Sequence, residues 1–257
     1  MKTTDKVALV TGASKGIGRG IAQGLAQAGW DVVVNYNRDE AGATATAAAI
    51  KALGGRSWIM QADVGFSTQV QAMFDQIQKE IGQLDLLVNN AGVQTFAPLI
   101  RLAEEDFDRV IRTNLKGCFL CMQQAARMMK ENGGAIINIG SGANKVPFPG
   151  LGDYCASKGG IENLTKVATA EFGQFGIRVN CVAPGAIEIE RTKDEAGDYA
   201  GTWAPLTPIA RVGQVEDVAA VVVFLASEQA EFTNGQTLYV DGGLWSRNTW
   251  PYQVDED

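Results

Sequence analysis

The sequence contains no histidine among its 257 residues. Histidine is the commonest general acid or base and the commonest transition-metal ligand in proteins. Any proton transfer must therefore use tyrosine, lysine, cysteine or a carboxylate. The chain has four cysteines. Cys118 and Cys121 read C-x-x-C inside a helical pattern, but no second pair of ligands completes the set that zinc needs. We expect no metal and unreactive thiols.

The chain also lacks features that would direct it to a membrane or to nucleic acid. No apolar run reaches the roughly 18 residues of a membrane helix, and the start, MKTTDKVALV, has no signal-peptide pattern. Acidic residues outnumber basic ones, 29 to 22, for a net charge of −7. A negative chain is a poor ligand for nucleic acid or anionic lipid. We expect a cytoplasmic protein that acts on a small molecule.

Seven short apolar runs alternate with segments of helical period. The runs cover 6–12, 31–36, 57–64, 84–92, 134–141, 177–185 and 236–243, and the helical segments cover about 16–29, 39–53, 67–81, 104–131, 153–174 and 215–226. Continuous Val, Ile and Leu without polar alternation is typical of strands buried on both faces. This order predicts an α/β, Rossmann-like, doubly wound parallel sheet of seven strands in one domain over 1–257. The irregular stretch 186–212 is expected to be a substrate loop, and 244–257 a C-terminal tail.

A glycine-rich loop joins the first strand to the first helix. The stretch VTGASKGIGRG places Gly12, Gly16 and Gly18 there. Glycine permits a turn with positive φ and a close approach of backbone N–H groups to a phosphate, and the helix N-terminus attracts the anion. The position and the spacing predict a site for a dinucleotide.

The end of the second strand, VVVNYNR, carries no acid that would bind both adenosine ribose hydroxyls. Asp39 and Glu40 are expected to begin the next helix. Arg38 and Lys15 are both within reach of a 2′-phosphate, which arginine binds well. We expect NADP to be preferred, with NAD possible; the open alternative is that both side chains are solvated surface charges.

These motifs continue along nearly the whole chain, and together they resemble the short-chain dehydrogenase/reductase family. The matching pieces are TGASKGIG (11–18), ADV (62–64), NNAG (89–92), TNLKG (113–117), Ser141, YCASK (154–158), APG (183–185) and DGG (241–243). The resemblance implies a catalytic tetrad of Asn114, Ser141, Tyr154 and Lys158. It also places Asp63 and Asn90 near the adenosine, and it implies a homotetramer.

The residues expected to contact the dinucleotide surround the ends of the strands. They are Gly12, Ser14, Lys15, Gly16, Ile17, Gly18, Asn35, Arg38, Asp63, Val64, Asn90, Ala91, Gly92, Tyr154, Lys158, Pro184, Gly185 and Ile187. One departure from the family concerns Ile189, which stands where relatives often have a threonine that contacts the carboxamide. Backbone groups or Thr192 are the alternatives for that contact.

Tyr154 and Lys158 are four residues apart and so share one face of a helix. A phenol is a poor base at neutral pH, but a nearby ammonium favours the tyrosinate. Tyr154 is thus expected to accept a proton in oxidation and to donate it in reduction. Ser141 is expected to hydrogen-bond the substrate oxygen. By resemblance, Lys158 also holds the nicotinamide ribose, and Asn114 lies in a kinked helix and anchors a water relay.

The substrate is less clearly indicated. Within the family, VVVNYNR, NKVPFPGLGDYCASKGG and GIRVNCVAPGAI resemble bacterial glucose 1-dehydrogenases. An aldose or polyol would need convergent polar groups. The candidates for substrate contacts are Gln94, Ser141, Asn144, Lys145, Glu188, Glu190 and Trp203.

Two other functions are weighed against the sugar. Phe96, Val146, Phe148 and Trp203 would suit a ketone or a 3-oxoacyl thioester. A non-catalytic NADP sensor would lack Tyr154, Lys158 or Ser141. In the tail, the aromatic residues are expected to pack at a subunit interface and to wall a neighbouring pocket; they are Trp245, Trp250 and Tyr252.

Overall fold

A seven-stranded parallel sheet forms the centre of the molecule, with strand order β3-β2-β1-β4-β5-β6-β7. The computed structural model describes residues 6–190, 192 and 197–246. The strands are β1 Val7–Val10, β2 Asp31–Tyr36, β3 Ser57–Gln61, β4 Leu86–Asn89, β5 Gly134–Ile139, β6 Ile177–Pro184 and β7 Thr237–Val240. Each lies inside one of the seven apolar runs, which confirms the predicted fold class.

Helices cover both faces of this sheet. They are α1 Gly16–Gln27, α2 Glu40–Ala52, α3 Ser67–Glu80, α4 Glu104–Val110, α5 Gly117–Met129, α6 Gly152–Phe172, α7 Tyr199–Trp203 and α8 Val215–Ala226. Asp39 caps α2 by accepting a hydrogen bond from the Gly42 N–H at 2.9 Å. Asp39 and Glu40 therefore belong to the start of this helix, as predicted. Among the described residues, no helix is long and apolar enough to cross a membrane.

The sheet separates two apolar cores. On β1, Ala8 and Val10 pack with α1, α2 and α8, whereas Val7 and Leu9 pack with α3, α5 and α6. These side chains are at most 1% exposed. Successive residues of a strand point to opposite faces, so a strand covered on both sides has no polar alternation. This is why the strands appear in the sequence as unbroken apolar runs.

The long helix expected over 104–131 is divided into three parts. A π-helical turn at Ile111–Lys116 separates α4 from α5. Such a turn accommodates an additional residue and bends the helix. Gly117 follows it, where an added Cβ would lie 2.7 Å from a methyl carbon of Val64. The bend carries Asn114 inward, where it is 1% exposed. It matches the kink that the family resemblance implies.

Polar side chains buried in the sheet are hydrogen-bonded to one another. The Asn138 Oδ1 atom accepts hydrogen bonds from Asn89 Nδ2 at 2.9 Å and from Cys118 Sγ at 3.2 Å. Its Nδ2 donates to Thr165 Oγ1 at 2.9 Å. An unpaired buried amide would cost roughly 1–3 kcal/mol. This network therefore joins β4, β5, α5 and α6 directly below the strand ends.

The cysteines are free, and three of them are buried, as predicted. Burial raises the pKa of the Cys121 thiol to about 12 and that of Cys181 to about 11, and it raises the pKa of Cys118 as well. These thiols stay protonated near neutral pH and are poor nucleophiles. Cys155 is half-buried. In the part of the chain that the structure describes, no group of three or more Cys, Asp or Glu side chains is arranged to hold a metal ion.

Candidate active site

The loop between β1 and α1 brings backbone atoms into close contact at the start of a helix. Gly12 and Gly16 have φ of +62° and +55°, a conformation that favours glycine. A Cβ on Gly18 would collide with the Gly12 carbonyl oxygen and the Asn90 amide. The side chain of Lys15, the N-cap residue, accepts no hydrogen bond from the first N–H groups of α1. The loop and helix end are thus shaped for an anion, and they fit the diphosphate of a dinucleotide.

Two asparagines hold this loop in place. Asn35 is 1% exposed, and its Oδ1 accepts from the Gly12 N–H at 3.2 Å. Its Nδ2 donates to the Ala62 carbonyl at 3.1 Å. Asn90 Nδ2 donates to the carbonyls of Thr11 and Gly12 at 3.0 and 3.1 Å. Asn35 therefore supports the loop from below, and the direct cofactor contact expected for it stays a prediction.

Thr11 is a supporting residue that the sequence reasoning missed. Its Oγ1 atom accepts hydrogen bonds from the N–H groups of Asn90 and Ala91 at 2.9 and 3.0 Å. These bonds tie the end of β4 to the end of β1. Thr11 directly precedes the glycine motif, so its position could have suggested this role, but its partners lie 79 and 80 residues away.

Charged and polar groups gather where β2 and β3 end. Arg38 and Lys15 are both exposed at this edge of the sheet. Asn37 Nδ2 donates to Asp63 Oδ2 at 3.1 Å, and Asp63 Oδ1 accepts from the Gly65 N–H at 2.9 Å. Two exposed cationic side chains thus follow β1 and β2 at this edge, and the loop after β3 fixes the Asp63 carboxylate.

The other residues expected near a dinucleotide lie along the same edge. Pro184 is the last residue of β6, and a Cβ on Gly185 would lie 2.7 Å from Asp241 Cα. Ile187 pairs with Gly213 in an isolated parallel bridge. Five more of the expected dinucleotide contacts come earlier in the chain, after β1, β3 and β4. They are Ser14, Ile17, Val64, Ala91 and Gly92.

Glu188 and Glu190 lie on the side of the glycine loop, against expectation for substrate contacts. Glu190 Oε2 accepts from the Gly16 N–H at 3.2 Å, and its Oε1 accepts from Arg19 at 3.1 Å. Glu188 and Glu190 both line a cavity between α1 and α8. Their segment lies against α1 in this structure, and the substrate contacts expected for the two residues stay a prediction.

Ile189 and Thr192 are connected locally. The Thr192 hydroxyl accepts from the Ile189 N–H at 2.9 Å and donates to the Ile189 carbonyl at 2.9 Å. The Ile189 side chain packs against Gly16, where an added Cβ would lie 3.5 Å from its Cδ1. The Thr192 hydroxyl is thus occupied, which disfavours it as the replacement for the usual threonine.

Tyr154 and Lys158 lie in the first two turns of α6. Lys158 is 4% exposed, and its Nζ donates to the Ile139 carbonyl at 2.7 Å. The same Nζ lies 5.5 Å from the centroid of the Tyr154 ring. Ile139 ends β5, two residues before Ser141. One hydrogen bond therefore fixes the ammonium beside the phenol and joins α6 to the strand end that carries the serine.

Ser141 and Asn114 complete the predicted tetrad. Ser141 is 8% exposed, and its Oγ accepts from the Ala143 N–H at 3.2 Å. The Asn114 side chain pairs with the Val93 backbone, accepting from its N–H at 2.8 Å and donating to its carbonyl at 2.9 Å. It also donates to Ser157 Oγ at 3.0 Å. The Asn114 amide thus ties the loop after β4 to α6. Because this side chain is already hydrogen-bonded, any water relay at this helix would use backbone groups.

Two polar substrate candidates are engaged elsewhere. Asn144 Nδ2 lies 3.8 Å from Cys181 Sγ on β6. The Lys145 ammonium lies 5.6 Å from the centroid of the Tyr239 ring on β7. Gln94, in the loop after β4, is half-buried. Asn144 and Lys145 therefore contact neighbouring strands, while the Asn144 Oδ1 atom is buried and accepts no hydrogen bond among the described residues. Their expected contacts with a sugar stay a prediction.

Aromatic side chains lie beside Ser141 instead. The ring of Trp245 is 5.2 Å from that of Phe148 and 6.3 Å from that of Trp203, between centroids. Trp245 had been expected at a subunit interface; in this chain it packs on Gly142. Trp250 and Tyr252 lie outside the described residues. Sequence reasoning named Phe148 and Trp203 as apolar candidates but missed that Trp245 joins them.

Several known proteins are similar to this chain over most of its length. The protein family described as enoyl-(acyl carrier protein) reductase matches residues 12–245. A 3-oxoacyl-[acyl-carrier-protein] reductase of Staphylococcus aureus is 44% identical, covering 95% of this chain and 100% of the relative. The 3beta-hydroxysteroid dehydrogenase 1 of Eggerthella lenta is 40% identical, covering 93% of each chain.

Solved structures also resemble this chain over most of its length. A gluconate 5-dehydrogenase from Burkholderia cenocepacia, in complex with NADP and tartrate, has a TM-score of 0.89 and 38% identity, covering 95% of this chain and 96% of that one. A putative gluconate dehydrogenase from Agrobacterium tumefaciens has a TM-score of 0.90 and 33% identity, covering 95% and 97%. The fold, the site and these relatives together establish that this chain belongs to the short-chain dehydrogenase/reductase family of oxidoreductases.

Proposed function

We propose that this enzyme interconverts an alcohol and its carbonyl compound with NADP(H), and that Tyr154 transfers the proton. The observation that carries the proposal is the position of Lys158. Its ammonium is buried, held by the Ile139 carbonyl at 2.7 Å, and lies 5.5 Å from the centroid of the Tyr154 ring. A fixed cation beside a phenol stabilises the phenolate, which is the form that accepts a proton.

In the direction of oxidation, Tyr154 takes the proton of the substrate hydroxyl while the C–H bond breaks with its electron pair. NADP supplies the acceptor for that hydride when it is bound. The Ser141 hydroxyl donates a hydrogen bond to the substrate oxygen and so holds it beside the phenol. In reduction, Tyr154 returns the proton to the carbonyl oxygen. Asn114 positions these groups by holding Ser157 Oγ, which donates to the Tyr154 carbonyl at 2.7 Å.

The preference for NADP is assigned to Arg38 and Lys15. Both side chains are exposed at the end of β2 and the start of α1, where a 2′-phosphate would lie in this fold. The nearby carboxylate of Asp39 does not serve the ribose hydroxyls, as an acid at this place does in NAD-binding proteins, because it caps α2. The solved relative from Burkholderia cenocepacia contains NADP, which supports the same choice for this chain.

For the substrate, we propose an aldose or polyol, as in glucose 1-dehydrogenases. Support comes from the solved relatives named for gluconate and from the aromatic residues beside Ser141, because aromatic side chains combine a large apolar face with a polar edge. The part of the predicted substrate loop that carries α7 and Trp203, residues 197–212, would cover this substrate at the ligand end of the sheet.

A second candidate is reduction of a 3-oxoacyl thioester. Relatives of that name are 44% identical. In addition, Phe96, Leu99 and Ile100 are 71%, 76% and 93% exposed. The bridge between Ala97 and Leu151 places them next to the start of α6, where an acyl chain leaving the site would pass.

We further propose a homotetramer located in the cytoplasm. The π-helical turn, α5 and α6 together form an apolar groove that includes Leu115, Phe119, Leu164 and Val167. Phe119 is 43% and Val167 52% exposed. Symmetric assemblies bury such a face against the same face of a second copy. This pairing would join two copies, and a second axis would join two pairs.

Changing Tyr154 to Phe should reduce turnover by at least a thousandfold while NADPH binding changes less than threefold. The substitution removes only the hydroxyl that exchanges the proton. Absorbance of reduced nicotinamide measures the turnover, and fluorescence titration measures the affinity. Substantial activity in this variant would exclude Tyr154 as the proton donor.

Changing Arg38 to Ala should lower kcat/KM for NADP relative to NAD by roughly tenfold or more, because a charge-assisted hydrogen bond to the 2′-phosphate is lost. Lys79→Ala, which removes an exposed cation from α3, serves as the matched control. An unchanged NADP to NAD ratio in Arg38→Ala would show that this side chain is only a solvated charge.

A panel of aldoses, polyols, cyclic ketones and 3-oxoacyl thioesters, each measured with NAD and NADP, should give the highest kcat/KM with an aldose. A preference for the thioesters would replace the sugar by the second candidate. Tight cofactor binding without turnover of any compound would indicate a non-catalytic sensor.

Changing Val167 to Glu should reduce the native mass from about four chains to two, because a buried carboxylate without a partner opposes the contact. Light scattering after size exclusion measures the mass. Glu171→Lys, an exposed change on the same helix, is the control. If the wild-type protein already has the mass of one chain, the proposed homotetramer is wrong.

A further inference from the structure

Ser141 begins a short turn, and the backbone of this turn determines where its hydroxyl lies. It is the N-cap of a 3₁₀ turn over Gly142–Asn144, and the Asn144 N–H donates to its carbonyl at 3.0 Å. The Ala143 N–H donates to Ser141 Oγ at 3.2 Å. Because this bond uses a lone pair of the oxygen, the hydroxyl proton remains available for a substrate oxygen. The position of the Ser141 hydroxyl therefore depends on the position of Gly142 and Ala143.

The indole of Trp245 packs directly on this turn. A Cβ added to Gly142 would collide with the Nε1 and Cε2 atoms of the ring, so the ring lies where a side chain would otherwise be. The Nε1 atom is buried, and it donates to no acceptor among the described residues. The contact is therefore one of packing. It covers the backbone of the residue that follows Ser141.

The same ring also contacts the far end of the loop that leads from Ser141 to α6. The centroids of the Trp245 and Phe148 rings are 5.2 Å apart. The Phe148 N–H lies 3.4 Å from Cys155 Sγ, to which it donates, and Cys155 directly follows Tyr154. Trp245 thus touches this loop at two places, one beside Ser141 and one tied to the neighbour of Tyr154.

Trp245 is anchored outside the loop that it contacts. Its backbone N–H donates to Asp241 Oδ2 at 3.0 Å, and the Gly243 N–H donates to Asp241 Oδ1 at 2.9 Å. Asp241 follows β7, and a Cβ added to Gly185, at the end of β6, would lie 2.7 Å from its Cα. The ends of β6 and β7 therefore hold the indole in place independently of the turn after Ser141.

We propose that Trp245 is a positioning residue, which fixes Ser141 relative to Tyr154 through the backbone of Gly142 and does so without contacting the substrate. The inference rests on the proposed function, because it assumes that the Ser141 hydroxyl acts on the substrate oxygen. A displacement on the order of 1 Å can cost about a hundredfold in rate. Loss of the indole should therefore slow the chemical step.

Trp245→Ala should lower kcat roughly tenfold or more, with KM and NADPH affinity changed less than threefold. The loss falls on kcat because the serine hydrogen bond strengthens as charge develops on the substrate oxygen. Absorbance of reduced nicotinamide measures kcat, with the best substrate of the panel, and fluorescence titration measures the affinity. Trp245→Phe, which keeps a flat ring, should retain kcat within threefold. Trp58→Ala, on β3, is the matched control and should lower the melting temperature but not kcat.

A double-mutant cycle shows whether the effect passes through Ser141. Ser141→Ala alone should lower kcat by at least about a hundredfold. Adding Trp245→Ala to it should change the remaining rate less than twofold, measured in single turnovers with excess enzyme. An equal loss in both backgrounds would mean that Trp245 acts on the substrate or on the whole fold, and it would overturn the proposal.

Gly142→Ala tests the same contact from the other side and does not depend on the activity left in Ser141→Ala. The added methyl group collides with the indole, so kcat should fall roughly tenfold while Trp245 is present. In the Trp245→Ala background the space is vacant, and the same change should alter kcat less than twofold. Equal losses in the two backgrounds would exclude the contact as the cause. If thermal melting shows that Trp245→Ala is unfolded, Trp245→Leu takes its place in both cycles.

The results separate this inference from the proposed function. If Ser141→Ala is inactive but Trp245→Ala has wild-type kcat, the role of Trp245 is excluded and the proposed function remains. If Ser141→Ala is as active as the wild type, the role of Ser141 in the proposed function is wrong, and the inference about Trp245 is wrong with it.

Discussion

All seven strands run in the same direction, so their carboxyl ends meet along one edge of the sheet. Every group discussed above depends on this arrangement. The glycine loop follows β1, Arg38 follows β2, Asn90 follows β4, Ser141 follows β5 and Gly185 follows β6. Residues far apart in the chain come together because parallel strands require a crossover after each one. The helices of these crossovers then add their own termini to the same edge.

Along this edge, the residues that would touch a ligand are supported by buried amides. Asn35 and Asn90 hold the glycine loop, and Asn114 holds the start of α6 through Ser157. Amide side chains suit this role because each both accepts and donates hydrogen bonds without carrying charge. The charged groups buried at this edge include the Lys158 ammonium, which the Ile139 carbonyl fixes in place. With no histidine in the chain, the proton transfer proposed for Tyr154 would depend on how firmly this cation is positioned.

Much of the fold could be predicted from the sequence, because local pattern determines it. The segment 215–226 is a helix with the expected ends, Val215–Ala226, and each apolar run contains a strand. Contacts between distant residues could not be predicted. Glu190 binds Gly16, 174 positions away, and Trp245 packs on Gly142. No periodicity encodes such contacts, which is why the sequence alone predicts Glu190 and Asn144 as substrate contacts. The family resemblance alone predicts a kink at Asn114, and it does not predict the π-helical turn at Ile111–Lys116 that forms this kink, since the residues of the turn have ordinary helical character.

The hydrogen bond between Glu190 and Gly16 has a thermodynamic consequence. The Gly16 N–H at the start of α1 already has an anionic partner, a carboxylate of the same chain. An incoming phosphate can use this donor only by exchanging with Glu190. The measured affinity for any anion at this helix end therefore equals its intrinsic affinity multiplied by the fraction of molecules in which the carboxylate has moved away. Because Arg19 also pairs with Glu190 at 3.1 Å, that ion pair adds to the free energy that an incoming anion must overcome to displace the carboxylate.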